Sequence, residues 1–197
     1  MTRIFCVLLF LACQSAAASV SSSYYLQWID LIDQPSSQLS QQEKVLQVDQ
    51  YINTAAYRSD QQLFGVEDYW SDPAEFIRRG QGDCEDFAIA KFFTLLSMGV
   101  DESKLQLVFG RLSDGTKHML VAYQEQPDSE PMLLDNLTLV PTRASLRQDF
   151  LPVYSFNRSE FWLKDGWNNG EPIAARVNNP KWQRVLNVWN AELLVSR

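Results

Sequence analysis

The ten residues from Phe87 to Leu96 are apolar on nearly every side when they are drawn as a helix. A helix of that kind has no face to offer to solvent, so other elements must pack around it at the centre of the fold. We predict that it begins at Asp83 or Cys84, runs to about Ser97 and ends at Gly99. Any fold for this chain has to enclose this helix.

Apolar spacing and helix-start signals predict three further helices. In the first, Val45, Val48 and Ile52 recur at helical spacing between polar residues. The Ser- and Gln-rich residues 19–37 lack such a pattern, and we expect them to form a partly ordered lead-in. The predicted helices cover residues 39–56, a short stretch from the cap at Asp72 to Gly80, and residues 180–194.

Strands follow the central helix. Asp114-Gly115 is a strong hairpin signal between the first two strands, which makes them antiparallel. Helices, then a buried helix, then an antiparallel sheet indicate an α+β fold, and no linker divides residues 19–197, so we expect one domain. The predicted strands cover residues 104–112, 118–123, 132–137 and 153–157.

The N-terminus has the features of a secretory signal peptide. A basic start with Arg3 is followed by an apolar run from Ile4 to Ala12 and by three alanines that end at Ala18. We predict that residues 1–18 are removed and that the mature domain is exported. No later segment is long and apolar enough to insert directly into a membrane.

Composition argues against two classes of partner. The chain has 24 acidic and 17 basic residues and a formal net charge of −7. Removal of the predicted leader takes away one basic residue, Arg3, and makes the net charge of the mature domain more negative. A net negative charge disfavours binding to nucleic acids and to anionic membrane surfaces.

One cysteine and one histidine remain outside the leader, because Cys6 and Cys13 lie within it. A single thiol cannot form an internal disulfide, so Cys84 does not serve to cross-link the fold. If the hairpin of the second and third strands is roughly symmetric, His118 faces Asp135 or its neighbour. A thiol at a helix start, an imidazole and a carboxylate would form a nucleophile, a base and an orienting group.

Each of these residues also has a structural interpretation. A buried cysteine is often a small hydrophobic residue, a lone histidine is often a satisfied polar group, and Asp135 could simply end a strand. Their order and register, which permit all three to meet, favour the functional interpretation.

Three acids surround the thiol. Asp83 can cap the helix, and Glu85 and Asp86 can interact with its dipole. The same three carboxylates could converge on a cation, and a set of oxygen ligands indicates Ca²⁺. The residues alone leave both interpretations open.

The chain resembles the LapG family of periplasmic bacterial transglutaminase-like cysteine proteinases. The resemblance rests on GDCEDFAIAK at 82–91, KHM at 117–119 and LDNL at 134–137, with support from PVYSFN at 152–157 and Tyr69-Trp70. It covers most of the chain from about residue 40. It implies a papain- or transglutaminase-like fold with Cys84 as nucleophile, His118 as base and Asp135 as orienting residue, and Ca²⁺ bound through Asp83, Glu85 and Asp86.

The resemblance also implies a biological role. Family members cleave a large surface adhesin near its N-terminus, at a pair of small residues, and so disperse a biofilm. An inner-membrane receptor for cyclic-di-GMP restrains them through its periplasmic domain. Two alternatives stay open: a transglutaminase-like acyl transferase or peptidoglycan peptide hydrolase, and a non-enzymatic calcium-binding module.

The Cys84 amide, with Gln81 or Trp70, could stabilise an oxyanion.

Overall fold

The computed structural model describes residues 23–34, 39–169, 172–173 and 177–195, and the predicted signal peptide lies outside them. The short helix α4 has Asp72 as its N-cap and Pro73 at its first turn, as the sequence predicts. The helices are α1 at residues 23–33, α2 Gln41–Ile52, α3 Asp60–Leu63, α4 Pro73–Arg79, α5 Cys84–Ser97 and α6 Pro180–Val195.

Seven strands form one antiparallel sheet in the order β6-β5-β4-β3-β7-β8-β9, and β1 and β2 form a separate parallel pair. Most of the helices precede the antiparallel sheet along the chain, and this order confirms the α+β prediction. The strands are β1 Ala56–Tyr57, β2 Gln81–Gly82, β3 Leu105–Leu112, β4 Lys117–Tyr123, β5 Met132–Leu134, β6 Thr142–Arg143, β7 Phe150–Phe156, β8 Phe161–Asp165 and β9 Asn168–Asn169.

The central helix α5 is buried as predicted. Its residues from Asp86 to Leu95 are all shielded from solvent, and Phe93 packs against Trp182 and Trp189 of α6. On its other sides α5 contacts α2, α4, β3 and β4. Within the described residues, no helix combines the length and the apolar character that crossing a membrane requires.

Residues 23–33 form a helix where the sequence predicts a partly ordered lead-in. Trp28 and Leu31 are buried in the main core, and the Trp28 indole donates a hydrogen bond of 2.9 Å to Thr94 Oγ1 of α5. Tyr24 stacks on Tyr51 of α2 at 4.8 Å between ring centroids. These contacts with distant residues stabilise α1, and the local sequence pattern does not reveal them.

Two boundaries of the predicted strands differ from the structure by three residues, and the others agree to within one residue. The strand β5 ends at Leu134 instead of Leu137, because Asp135 leaves the ladder and its carboxylate accepts the Leu137 amide at 3.1 Å. The strand β7 begins at Phe150 instead of Val153 and includes Pro152, which is opposite Gly110 at an irregularity in the β3–β7 pairing. An irregular position tolerates a proline inside a strand.

The main core also contains an ion pair. Lys91 Nζ on α5 lies 2.7 Å from Asp49 Oδ1 on α2, and both side chains are almost wholly buried. Asp49→Ala should lower the free energy of unfolding by about 3–5 kcal/mol, because it leaves a buried ammonium without its partner. Urea denaturation measures this change.

Two further variants complete that test. Asp49→Leu combined with Lys91→Met should recover most of the lost stability, because no charge is then buried. Arg158→Met removes the more exposed pair with Glu102, at 2.6 Å, and should cost at most about 1 kcal/mol. Equal losses in Asp49→Ala and Arg158→Met would contradict the claim that burial makes the Lys91–Asp49 pair important.

Candidate active site

Cys84 and His118 line the same surface cleft, which has a volume of about 480 Å³. Cys84 is the first residue of α5 and His118 is the second residue of β4. The structure therefore brings the predicted thiol and imidazole to one place. The cleft is also lined by Tyr57, Glu67, Asp68, Trp70, Asp83, Glu85, Phe109, Lys117, Met119, Tyr154 and Asn179.

The start of α5 is held by the buried carboxylate of Asp86. Its Oδ1 accepts the Ser71 amide at 2.7 Å, and its Oδ2 accepts the Asp83 amide at 3.4 Å. Gly82 is required beside it, because a Cβ at that position would lie 2.5 Å from Asp86 Oδ2 and 2.8 Å from the Phe76 ring. These contacts tie two loops to the first turn of α5 and so fix where Cys84 is presented.

His118 and Asp135 are in direct contact. The register pairs Val121 with Leu134, so Asp135 directly follows the end of β5. His118 Nε2 lies 2.7 Å from Asp135 Oδ1, and both side chains are buried. Asn53 Nδ2 donates to the Asp135 carbonyl at 3.0 Å and so fixes the backbone here. The geometry is that of an imidazole oriented by a carboxylate, and the catalytic roles stay predictions.

A glycine makes room beside the imidazole. Gly110 pairs with His118 across β3 and β4, and a Cβ on Gly110 would lie 2.4 Å from both the Leu151 carbonyl and the Phe150 ring. The Phe150 ring stands edge-on to His118, with 6.0 Å between centroids. Phe150, the first residue of β7, thus packs against one side of the His118 ring and restricts its orientation.

Arg147 is a member of this site that the sequence analysis does not identify. Its Nη1 lies 2.5 Å from Asp135 Oδ2, while Nε and Nη2 bind Asp149 at 2.9 and 3.0 Å. Burial opposes ionisation of Asp135, but the hydrogen bonds from His118 and Arg147 outweigh it and lower its pKa to about 2. Asp135 is therefore a buried anion at neutral pH.

The surroundings of the Cys84 thiol oppose its ionisation. Burial raises its pKa, and the Glu85 carboxylate raises it further, with Sγ and Glu85 Oε2 3.0 Å apart. A hydrogen bond from the Met119 backbone acts in the opposite direction and places the sulfur beside β4. The acids next to Cys84 need a compensating positive charge before the thiolate is favoured.

Asp60 and Asp68 join the predicted acids. Carboxylate oxygens within 4.8 Å of one another occur in two groups: Asp60 with Asp83 and Asp86, and Asp60 with Asp68 and Glu85. The Asp60 side chain is buried and accepts the Tyr69 amide. Asp60 therefore links the two groups into one acidic cluster, and the predicted ligand set of Asp83, Glu85 and Asp86 stays a prediction.

The acidic cluster fits a cation. Asp60 Oδ1 and Asp83 Oδ1 are buried without a hydrogen-bond partner in the described part of the chain, and a bound cation would satisfy both. Burial, together with the charges of Glu85 and Asp86, raises the pKa of Asp83 to about 9. A set of carboxylate oxygens suits Ca²⁺ in particular.

The two candidate oxyanion donors occupy different surroundings. Trp70 lines the cleft and stacks on Phe156 at 6.3 Å between ring centroids. Gln81 lies in β2, where it is paired with Ala56 of β1, and it is not among the residues that line the cleft. Of the two candidates, Trp70 and not Gln81 shares a cleft with the Cys84 thiol, so the geometry favours Trp70 as its neighbour.

The α+β fold is that of the transglutaminase-like cysteine proteinases, and comparison with known proteins identifies the family. The family model "bacterial transglutaminase-like cysteine proteinase BTLCP" matches residues 29–164, and the chain belongs to this family. The calcium-bound structure of Legionella pneumophila LapG is similar at 32% identity and a TM-score of 0.72, over 89% of this chain and 98% of that one. The EGTA-treated LapG structure matches at 32% identity and a TM-score of 0.73, over 88% and 96%. Among curated proteins, none matches this chain significantly.

The low pKa of Asp135 predicts a pH-dependent contribution to stability. Asp135 has a pKa of about 3.9 in an unfolded chain and about 2 in the fold, so its contribution is present above pH 4 and is lost as the pH falls towards 2. Asp135→Asn should therefore lower the free energy of unfolding at pH 7, by an amount on the order of 2 kcal/mol. Urea denaturation across this pH range measures it.

The difference between wild type and Asp135→Asn should shrink between pH 4 and pH 2. Asp128→Asn changes an exposed acid far from the His118–Asp135 pair and is the matched control. Its free energy of unfolding should differ little from that of wild type at any pH. A difference between wild type and Asp135→Asn that stayed constant down to pH 2 would show that the Asp135 charge does not stabilise the fold.

Proposed function

We propose that this chain is a calcium-dependent cysteine endopeptidase in which Cys84 is the nucleophile, His118 the general base and Asp135 the residue that orients the imidazole. One observation carries the proposal: the Cys84 thiol and the His118 imidazole line one cleft, and His118 is hydrogen-bonded to the buried Asp135. Membership of the transglutaminase-like cysteine proteinases supports the class of reaction.

The mechanism follows from the hydrogen bonds of His118. Asp135 engages Nε2, so the other ring nitrogen is left to take the proton of the Cys84 thiol. The thiolate attacks the peptide carbonyl, the imidazolium gives its proton to the leaving amine, and water hydrolyses the thioester. The anionic Asp135 stabilises the imidazolium, and the Cys84 amide at the helix start can donate to the oxyanion.

The acidic cluster supports a calcium requirement. The predicted ligands Asp83, Glu85 and Asp86 would hold the ion together with Asp60 and Asp68. Bound Ca²⁺ supplies positive charge that offsets the carboxylates beside the thiol. The similar Legionella pneumophila protein has calcium-bound and EGTA-treated structures, which supports the choice of metal.

The substrate and the partner are proposed from the family resemblance. We infer that the substrate is a large surface adhesin, cleaved in its N-terminal region at a pair of small residues, and that cleavage releases the adhesin and disperses a biofilm. The partner is the periplasmic domain of an inner-membrane cyclic-di-GMP receptor. The predicted signal peptide at residues 1–18 supports a periplasmic location.

Cys84→Ala should abolish cleavage of a recombinant adhesin fragment that carries a dialanine site, because no other thiol remains in the mature chain. The substitution of a small thiol by a methyl group should leave the melting temperature nearly unchanged. Gel analysis and mass spectrometry of the products measure the outcome.

His118→Ala should be equally inactive, since no second histidine can replace the base. Adding a primary amine to the wild-type reaction separates the reaction classes: hydrolysis leaves a free carboxylate, whereas an acyl transferase forms an amide of higher mass. Cleavage by Cys84→Ala would contradict the assignment of the nucleophile, and a predominant amide product would favour the acyl transferase.

Calcium binding can be measured independently of activity. Calorimetric titration of chelator-stripped protein should show one tight site, with a dissociation constant on the order of 10⁻⁴ M or tighter. Ca²⁺ should also raise the melting temperature, because it binds the native state only. Asp60→Ala and Asp83→Ala should each lose the heat of binding, as these carboxylates carry the unpartnered oxygens.

Asp128→Ala is the matched control, because it removes one negative charge at an exposed position outside the acidic cluster. It should bind Ca²⁺ like the wild type. Unchanged binding by Asp60→Ala and Asp83→Ala would show that the ion does not occupy this cluster, and full activity in excess chelator would show that the reaction does not require it.

A further inference from the structure

We propose that Arg147 is a positioning residue for catalysis, which holds the Asp135 carboxylate in the charge state and orientation that His118 needs. The inference rests on the proposed function, since it concerns the same histidine and aspartate. It adds a role that neither the sequence pattern nor the family comparison assigns.

The hydrogen bonds divide the two oxygens of Asp135 between two partners. Oδ1 faces His118 Nε2 at 2.7 Å, and Oδ2 faces Arg147 Nη1 at 2.5 Å. The remaining donors of the guanidinium, Nε and Nη2, are held by Asp149 in a two-pronged contact. Because the guanidinium is planar and fixed at both ends, it fixes the plane in which Asp135 meets the imidazole.

Burial makes this partner necessary. The Asp135 side chain is 0% exposed and that of Arg147 is 6% exposed, so water contributes little to the solvation of either charge. A buried carboxylate without a cation would take up a proton, and a neutral Asp135 could not stabilise an imidazolium. Arg147 cannot be deprotonated in this range, so it keeps Asp135 anionic whether His118 is charged or neutral.

Other charged groups face Asp135 from the neighbouring elements, but they are already engaged. Lys91 on α5 interacts with Asp135 electrostatically but pairs with Asp49 of α2 at 2.7 Å. Asp49 is itself negative and acts against the charge of Asp135. Asp149 lies behind the guanidinium, and His118 is the group to be activated. Arg147 is therefore the permanent cation in contact with the Asp135 carboxylate.

A consequence for His118 follows. Without Arg147, the buried Asp135 carboxyl would take up a proton at a higher pH, and a neutral carboxyl stabilises the imidazolium of His118 less well than a carboxylate does. Because the proposed reaction proceeds through that imidazolium, removing Arg147 should misplace Asp135, raise the pKa of Asp135 and slow the reaction.

The mature protein contains one histidine, so nuclear magnetic resonance of the imidazole reports on His118 without assignment. In wild type, the neutral ring should carry its proton on Nε2, the nitrogen bound to Asp135. Arg147→Met should raise the pKa of Asp135 by about 1 unit, which carbon nuclear magnetic resonance of the carboxyl group measures. It should lower kcat/KM for the dialanine-containing substrate by about tenfold to a hundredfold.

Arg147→Lys separates charge from geometry. A lysine keeps the positive charge but cannot hold Asp135 and Asp149 together in one plane. It should return the pKa of Asp135 most of the way to the wild-type value while kcat/KM stays reduced. Asp149→Asn, which loosens the guanidinium from outside the site, should show a smaller loss of kcat/KM in the same direction. Arg143→Met is the matched control, because Arg143 is an exposed arginine on the neighbouring strand β6, and it should behave like wild type.

The outcomes are separable. A raised pKa of Asp135 and a reduced kcat/KM in Arg147→Met, with recovery of that pKa in Arg147→Lys, support the proposal. If Arg147→Met does not fold, Arg147→Lys and Asp149→Asn decide by the same two readouts. A lower melting temperature with an unchanged Asp135 pKa, His118 tautomer and kcat/KM would overturn it, because Arg147 would then be structural only. Full activity in His118→Ala would instead refute the proposed function, and it would do so without reference to Arg147.

Discussion

The burial of α5 is the constraint on which the geometry of the proposed active site depends. An apolar helix enclosed by α1, α2, α4, α6 and the sheet has no freedom to shift along its axis, so its first residue, Cys84, has a fixed position. The buried Asp86 carboxylate extends that constraint to the preceding loops through the amides of Ser71 and Asp83. The same helix packs against β4, which brings the thiol to the strand that carries His118.

Two buried sets of negative charge flank the thiol and imidazole, and they are balanced differently. Asp135 has a permanent internal cation in Arg147, so it remains ionised in the folded chain. The acidic cluster around Asp60 and Asp83 has buried oxygens that no described side chain or amide satisfies. The first set is complete within the chain, whereas the second would be satisfied by an ion from outside. This contrast is the basis of the proposed Ca²⁺ requirement.

Local signals in the sequence were sufficient for part of this arrangement. The cap at Asp72 and the apolar run of α5 predicted two helix starts, and approximate hairpin symmetry predicted that His118 and Asp135 lie together. Asp60 and Arg147 were not predicted, because the positions of the short helix α3 and of the turn before β7 depend on tertiary packing. The helix at residues 23–33 was missed for the same reason, since Trp28 is stabilised by Thr94, far along the chain.

Covalent trapping tests the central claim most directly. A peptide chloromethyl ketone ending in alanine should label the calcium-loaded protein once, with the adduct mapped to Cys84 by mass spectrometry. The account predicts that labelling becomes much slower in His118→Ala, although the thiol is still present. Labelling of His118→Ala at the wild-type rate, or an adduct on a residue other than Cys84, would contradict the catalytic pairing of Cys84 at the start of α5 with His118 on β4.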